Sequence, residues 1–220
     1  MSETYEILNR ELLKAVIETA EMVGYSMVVA LIFGTLLGLA LYLTSSNLFF
    51  KNKIINAISG AIVNIIRSIP FVILMVLFIP LMKLITGTSI GPEAASVPLA
   101  IASIAFFARL VESSLNEVDK GVLEAAKATG AGTFLILKRV VFVEAFPSLV
   151  RAATVTFVSI VGYSAMAGLV GGGGIGNLAI QYGYYRYETG VMIVTVLILV
   201  VVVQVGQSLG DLLSRLVTRK

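Results

Sequence analysis

The sequence predicts an all-α membrane protein with five transmembrane helices. Three observations carry that expectation. Of its 220 residues 58% are hydrophobic and 13% are charged, against roughly 25% charged in an ordinary soluble domain, so too little polar surface remains to face water all round. The charged residues are clustered, and several gaps between them match the roughly 20 apolar residues that a helix needs to cross a hydrocarbon core. The basic residues also fall into alternate loops, the mark of a fixed orientation in a membrane.

Taken in order, residues 2–20 read as an amphipathic helix outside the first span, with Tyr5, Leu8, Leu12, Ala15 and Thr19 on one stripe. The acidic opening Ser2-Glu3-Thr4-Tyr5-Glu6 argues against a cleaved signal peptide. The expected division is therefore an N-terminal amphipathic segment, 1–21, and a transmembrane domain, 22–220. The first span is the uncharged stretch 22–50, in which Ala30, Gly34 and Gly38 recur every four residues. Small side chains at that spacing let a second helix approach closely. The second span, 54–82, is interrupted by Arg67 and is densest over 69–82. Arg67 either lines the inner mouth of a pathway or snorkels to lipid phosphate. The third, 94–108, is short and draws on the amphiphilic turn after Arg109. The fourth runs over 152–170, and the fifth over 189–210. A sixth span over 171–189 is disfavoured by its glycines and Arg186.

With the N-terminus outside, the inner side receives twelve basic residues, from Lys51 and Lys53 through Arg215, Arg219 and Lys220. The outer side keeps four, Arg10, Lys14, Lys83 and Arg186, so an N-out, C-in topology is expected in a plasma (inner) membrane. Tyr182, Tyr184, Tyr185 and Tyr187 then form an outer interfacial belt, or meet a partner protein on that side. The net charge of +3 belongs to the inner loops and does not point to nucleic acid.

The chain has no cysteine and no histidine, which removes thiolate chemistry, the commonest general base and the commonest transition-metal ligand. No G-x-x-x-x-G-K-[ST] segment is present to cradle phosphates. Gly171, Gly173 and Gly176 do satisfy G-x-G-x-x-G, but after a membrane span and not after a strand, so a turn before a short helix is expected there. No catalytic, metal or cofactor site is expected in this chain.

The loop at about 110–150 holds most of the internal charge. Asp119 can cap a short helix that Gly130 ends. Lys120, Glu124 and Lys127 fall on one stripe, while Val122, Ala125, Ala126 and Thr129 form a second stripe of small side chains. Such a helix suits either a groove on another protein or a solvated surface.

Glu124-Ala125-Ala126, three residues and then Gly130 resemble the E-A-A-x3-G loop of ABC importer permeases, the binding-protein-dependent inner-membrane component. The strings Asn64-Ile65-Ile66-Arg67-Ser68-Ile69-Pro70-Phe71, Gly87-Thr88-Ser89-Ile90-Gly91, Gly162-Tyr163-Ser164-Ala165-Met166 and Gln181-Tyr182-Gly183-Tyr184 are similar to the methionine-importer branch, in the same order from about residue 22 onward. The family pattern continues with I-x-L-P. Here Val140 to Val143 stand in that place without the proline, and Pro147 follows.

The resemblance implies a type I ABC importer permease architecture with a cytoplasmic coupling helix. It further implies that Glu124, Ala125, Ala126, Lys127 and Gly130 dock into a separate ATPase subunit, which binds the ATP and Mg. A homodimer, a substrate-binding lipoprotein on the outer face and transport of D- or L-methionine or related amino acids complete what it implies. For the pathway or gate the sequence offers Thr156, Ser159, Tyr163 and Met166, within about a quarter of the fourth helix's circumference, together with Arg67. Hydroxyls bonded to neighbouring helices or to their own backbone would explain the same stripe. Transport of another small solute, an ion-coupled carrier, an intramembrane enzyme (which without His or Cys would need a Ser-Lys arrangement) and a purely structural subunit are the competing readings. A coupled carrier usually holds ionisable groups inside the bundle, and every Asp and Glu here falls at a span edge or in a loop.

Overall fold

The computed structural model describes residues 2–46 and 48–218. Arg219 and Lys220, counted above among the inner basic residues, lie outside the described residues. Among the described residues four helices are long and apolar enough to cross a membrane, or five if one bent pair counts as a span.

Helices α1 (Ser2–Val29) and α2 (Thr35–Ser45) are joined by a π-helical turn at Ala30–Gly34. Glu3–Ser45 is thus one helix of 43 residues, and the amphipathic N-terminal stretch continues into the first span without a break. No proline interrupts it, and Gly24 sits in open space where its missing side chain costs no packing.

The second span is sharply bent in the structure. Helix α3 (Lys53–Ser68) meets α4 (Phe71–Leu77) at 105° instead of continuing straight. Proline pushes the residue before it out of the helical region. Ile69 accordingly sits at φ −83°, ψ 126°, and Pro70 at ψ 134°. Helix α5 (Ile79–Thr86) follows and ends at Gly87, whose φ is 75°.

Helix α6 (Pro92–Asn116) is the hub, packed against α1, α2, α3, α5 and α9. It runs through Arg109 to Asn116, which supplies the length that 94–108 lacked. Gly34 and Gly38 face it as the spacing predicts: a side chain at Gly38 would meet Ala108 O at 2.5 Å and Val111 Cβ at 2.7 Å. Three of the buried clusters are stacked along the bundle, and a smaller one joins Leu41, Val63 and Ala105. Ile7, Ala15, Ile175, Leu178 and Tyr182 pack at one end, Met22, Leu74, Leu99 and Ile160 in the middle, and Tyr42, Val111, Leu115, Leu123 and Val141 at the other end.

Beyond α7 (Lys120–Ala128), helix α8 (Thr133–Ile136), a π-helical turn at Leu137–Val141 and α9 (Phe142–Ala167) form one unbroken rod to Val170. Val143 lies inside it, so without the family's proline the helix runs on through that position. The glycine segment then turns at Gly171, Gly173 and Gly174, all at positive φ, into α10 (Gly174–Leu178). This turn is tied to α1. Glu18 Oε2 accepts the Gly174 amide at 2.7 Å, and Thr19 Oγ1 accepts that of Ile175 at 2.8 Å. A π-helical turn at Ala179–Tyr184 leads to α11 (Thr189–Thr218), packed on α9. Tyr182 leaves the expected aromatic belt. It is buried, receives a hydrogen bond from Arg10 Nη2 at 3.4 Å and lies under the Arg186 guanidinium at 4.6 Å. Tyr184, Tyr185 and Tyr187 remain exposed.

Candidate functional site

Two regions concentrate the candidate residues, and each is built from local rules. In the first, the Asp119 carboxylate accepts the Val122 amide at 3.1 Å, capping the start of α7. At its other end Gly130 adopts φ 80°. The Gly130 amide donates to Lys127 O at 3.0 Å and the Ala131 amide to Ala126 O at 3.3 Å, the paired bonds of a Schellman motif. Glycine is needed at that point, since a Cβ in the left-handed region costs roughly 1–2 kcal/mol. Gly130→Ala should therefore loosen the last turn of α7 and speed amide exchange across residues 126–131 about tenfold. Unchanged exchange there would remove the motif as the cause of the turn's stability.

Leu123 is buried beside Val118, Ile136 and Val141, and anchors α7 to the bundle. Ala126 packs half-buried against the same cluster, and Lys127 Nζ donates to Leu48 O at 3.4 Å. The opposite side presents Gly121, Val122, Glu124, Ala125 and Ala128 to the surroundings. The run Glu124-Ala125-Ala126 is thus split: Ala126 holds the helix down, while Glu124 and Ala125 face outward. The outward face is small-sided with charges at its edge, the shape of a helix that fits a groove.

In the second region the structure separates residues that the sequence grouped. Thr156 is fully buried, and its hydroxyl donates to Ala152 O at 2.9 Å. Ser159 is half-buried and donates to Val155 O at 2.9 Å. Both hydroxyls are engaged by their own helix, and Thr156 lines no open face of this chain. Met166 is 44% exposed, at the end of α9 nearest the glycine turn. Tyr163 stacks on Phe71, with ring centroids 4.8 Å apart. Arg67 is brought to the same place: with Ile69, Phe71, Phe106 and Tyr163 it lines a cavity of about 170 Å³ beside the bend between α3 and α4. Its guanidinium stands 5.9 Å from the Phe106 ring centre. Phe71 and Phe106 were missed as neighbours of this site because their partners lie far away in sequence. The Arg-Ser-Ile-Pro-Phe string was the available signal for Phe71.

Residues 30–219 match the family model described as binding-protein-dependent transport system inner membrane component. A probable D-methionine transport system permease protein of Vibrio cholerae is 47% identical over 209 residues, 95% of this chain and 93% of its own. The methionine import system permease protein of Bacillus subtilis is 43% identical over 82% of this chain and 81% of its own. An inward-facing structure of the MetNI methionine ABC transporter superposes with a TM-score of 0.90 at 43% identity, covering 94% of this chain and 95% of that one.

Proposed function

The chain belongs to the binding-protein-dependent transport system inner membrane component family, and from that premise we propose that it is the permease subunit of an ATP-driven methionine importer. The carrying observation is the end-to-end likeness to methionine transport permeases, in sequence and in fold. The capped α7, with its outward Glu124 and Ala125, gives that likeness a working part.

Hydrolysis belongs to a separate ATPase subunit, which holds the ATP and Mg and grips α7 through Glu124, Ala125 and the neighbouring turn ended by Gly130. Two copies of the chain enclose the pathway on a two-fold axis. Ser159, Tyr163 and Met166 of α9, with Arg67 at the inner mouth, form its lining. The end carrying α7 is cytoplasmic, supported by its share of basic residues, and a substrate-binding protein meets the opposite end, built from α1, the α5–α6 turn and residues 171–188. The N-terminal segment 1–21 belongs to that outer end. Closure of the ATPases draws the two α7 helices together and switches the pathway from inward-open to outward-open.

Reconstitution with the ATPase and binding protein in proteoliposomes tests the reading. ATP-dependent accumulation of labelled methionine is expected. Accumulation without ATP would refute the motor assignment, and ATP-driven uptake of a different solute would refute the substrate. Met166→Ala should open the closed gate, raising methionine leak or ATP hydrolysis without uptake by about fivefold, the lower range of coupling between sites. Normal leak and coupling would take Met166 out of the gate.

A further inference from the structure

We infer that Arg109, with Glu112 and Asn64, is a positioning clamp that makes the bent α3–α4 unit move as one body with α6 and the motor-docking helix α7. Arg109 Nη1 donates to Glu112 Oε2 at 2.6 Å, one turn along α6. Its Nη2 reaches across to α3, donating to Gly60 O at 3.2 Å and to Asn64 Oδ1 at 3.0 Å. The two charged side chains are 26% and 14% exposed, so the pair is shielded from water and its geometry matters more than that of a surface pair. Gly60 leaves room for the guanidinium: a side chain there would meet Nη2 at 3.2 Å.

The position of the clamp gives it a mechanical meaning. On one side α6 ends at Asn116, and α7 begins at Lys120. On the other, α3 ends at Ser68 beside the 105° bend, and Phe71 starts α4 already stacked on Tyr163. A displacement of α7 reaches the cavity of Arg67 and Tyr163 through α6, this guanidinium and α3. A planar guanidinium can serve acceptors on two helices at once, which a lysine ammonium does with less geometric constraint.

The inference rests on the permease reading, and two measurements keep their failures apart. The chain has no cysteine, so spin labels can be placed through Ile58→Cys on α3 and Ser113→Cys on α6 in the assembled transporter. The distance between them should stay narrow and unchanged from nucleotide-free to ATP-bound states. In Arg109→Ala or Asn64→Ala it should broaden or shift between states. In proteoliposomes the same variants should hydrolyse about tenfold more ATP per methionine moved, within the range of site-to-site coupling, with Arg109→Lys intermediate. A purely structural role would lower hydrolysis and uptake together and leave the ratio intact. Should Arg109→Ala fail to fold, Asn64→Ala, which keeps the Arg109–Glu112 pair, decides the matter. An unchanged distance distribution and an unchanged ratio in a folded variant overturn the clamp. A wild-type chain that moves no methionine under ATP refutes the permease reading, while the distance measurement still decides the clamp.

Discussion

Ala125→Arg is expected to strip the ATPase subunit from the purified complex and to reduce ATP-driven uptake to background. Ala125 lies on the outward side of α7, while Leu123 and Ala126 hold the helix to the bundle. Arginine is nearly as good a helix former as alanine, so the chain itself should fold and insert as before. What changes is the shape offered to the partner. On the docking reading, a long, charged side chain at the centre of this small-sided face would clash with the partner's groove, and loss of a hot-spot contact costs about 2 kcal/mol or more, roughly a 30-fold loss of affinity. Two readouts check it: the amount of ATPase retained on affinity purification, and methionine uptake per folded permease. Normal retention would mean that the motor grips elsewhere. Leu123→Ala makes the complementary case. It should cost about 2–5 kcal/mol as a buried truncation and disorder α7 along with its neighbours, so that docking is lost for want of a rigid helix.

How far such reasoning reaches from sequence alone depends on the range of the interaction. Asp119, Gly130 and the helix between them were legible because capping acts over three or four residues. The Ala30, Gly34 and Gly38 spacing was legible because it repeats within one helix, even though its partner α6 is seventy residues away. Charge gaps located the spans but do not sense bending, so 54–82 read as one span although Pro70 stood inside it. The same method separated 1–21 from the first span, because charged residues mark water and not a helix end. The polar stripe on α9 misled in part for a different reason. A serine or threonine in a helix can donate to the carbonyl four residues back, as Thr156 and Ser159 both do, so a hydroxyl on an apolar helix does not report an open face. The approach of Gly206 and Gly210 on α11 to Phe157 and Thr154 on α9 has the same four-residue spacing as the first-span motif. Nothing local distinguishes such a pair from glycines that face lipid until the partner helix is known.

That distinction makes a large stability effect predictable at Gly38. Gly38→Leu should sharply lower the melting temperature of the folded protein, whereas Gly24→Leu in the same helix should be tolerated. At Gly38 even the first carbon of a side chain meets Ala108 O at 2.5 Å and Val111 Cβ at 2.7 Å, and both belong to the central helix α6. Ala108 and Val111 are fully buried, so neither can swing aside. The helices would have to part, and the cluster of Tyr42, Val111, Leu115 and Leu123 that supports α7 would open with them. Overpacking a tight core typically costs 1–3 kcal/mol and occasionally more. Here backbone is met directly, which places the cost at or above about 3 kcal/mol, a large share of the 5–15 kcal/mol that usually holds a domain together. Gly24 has no atom within 4 Å of the corresponding position, and leucine is a better helix former than glycine, by somewhat less than the roughly 0.8–1 kcal/mol that separates alanine from glycine. Thermal melting of detergent-purified variants, followed by loss of monodisperse protein, separates the two. Equal melting temperatures would show that α2 and α6 are not in contact at Gly38, and the support inferred for the docking helix would fall with that contact.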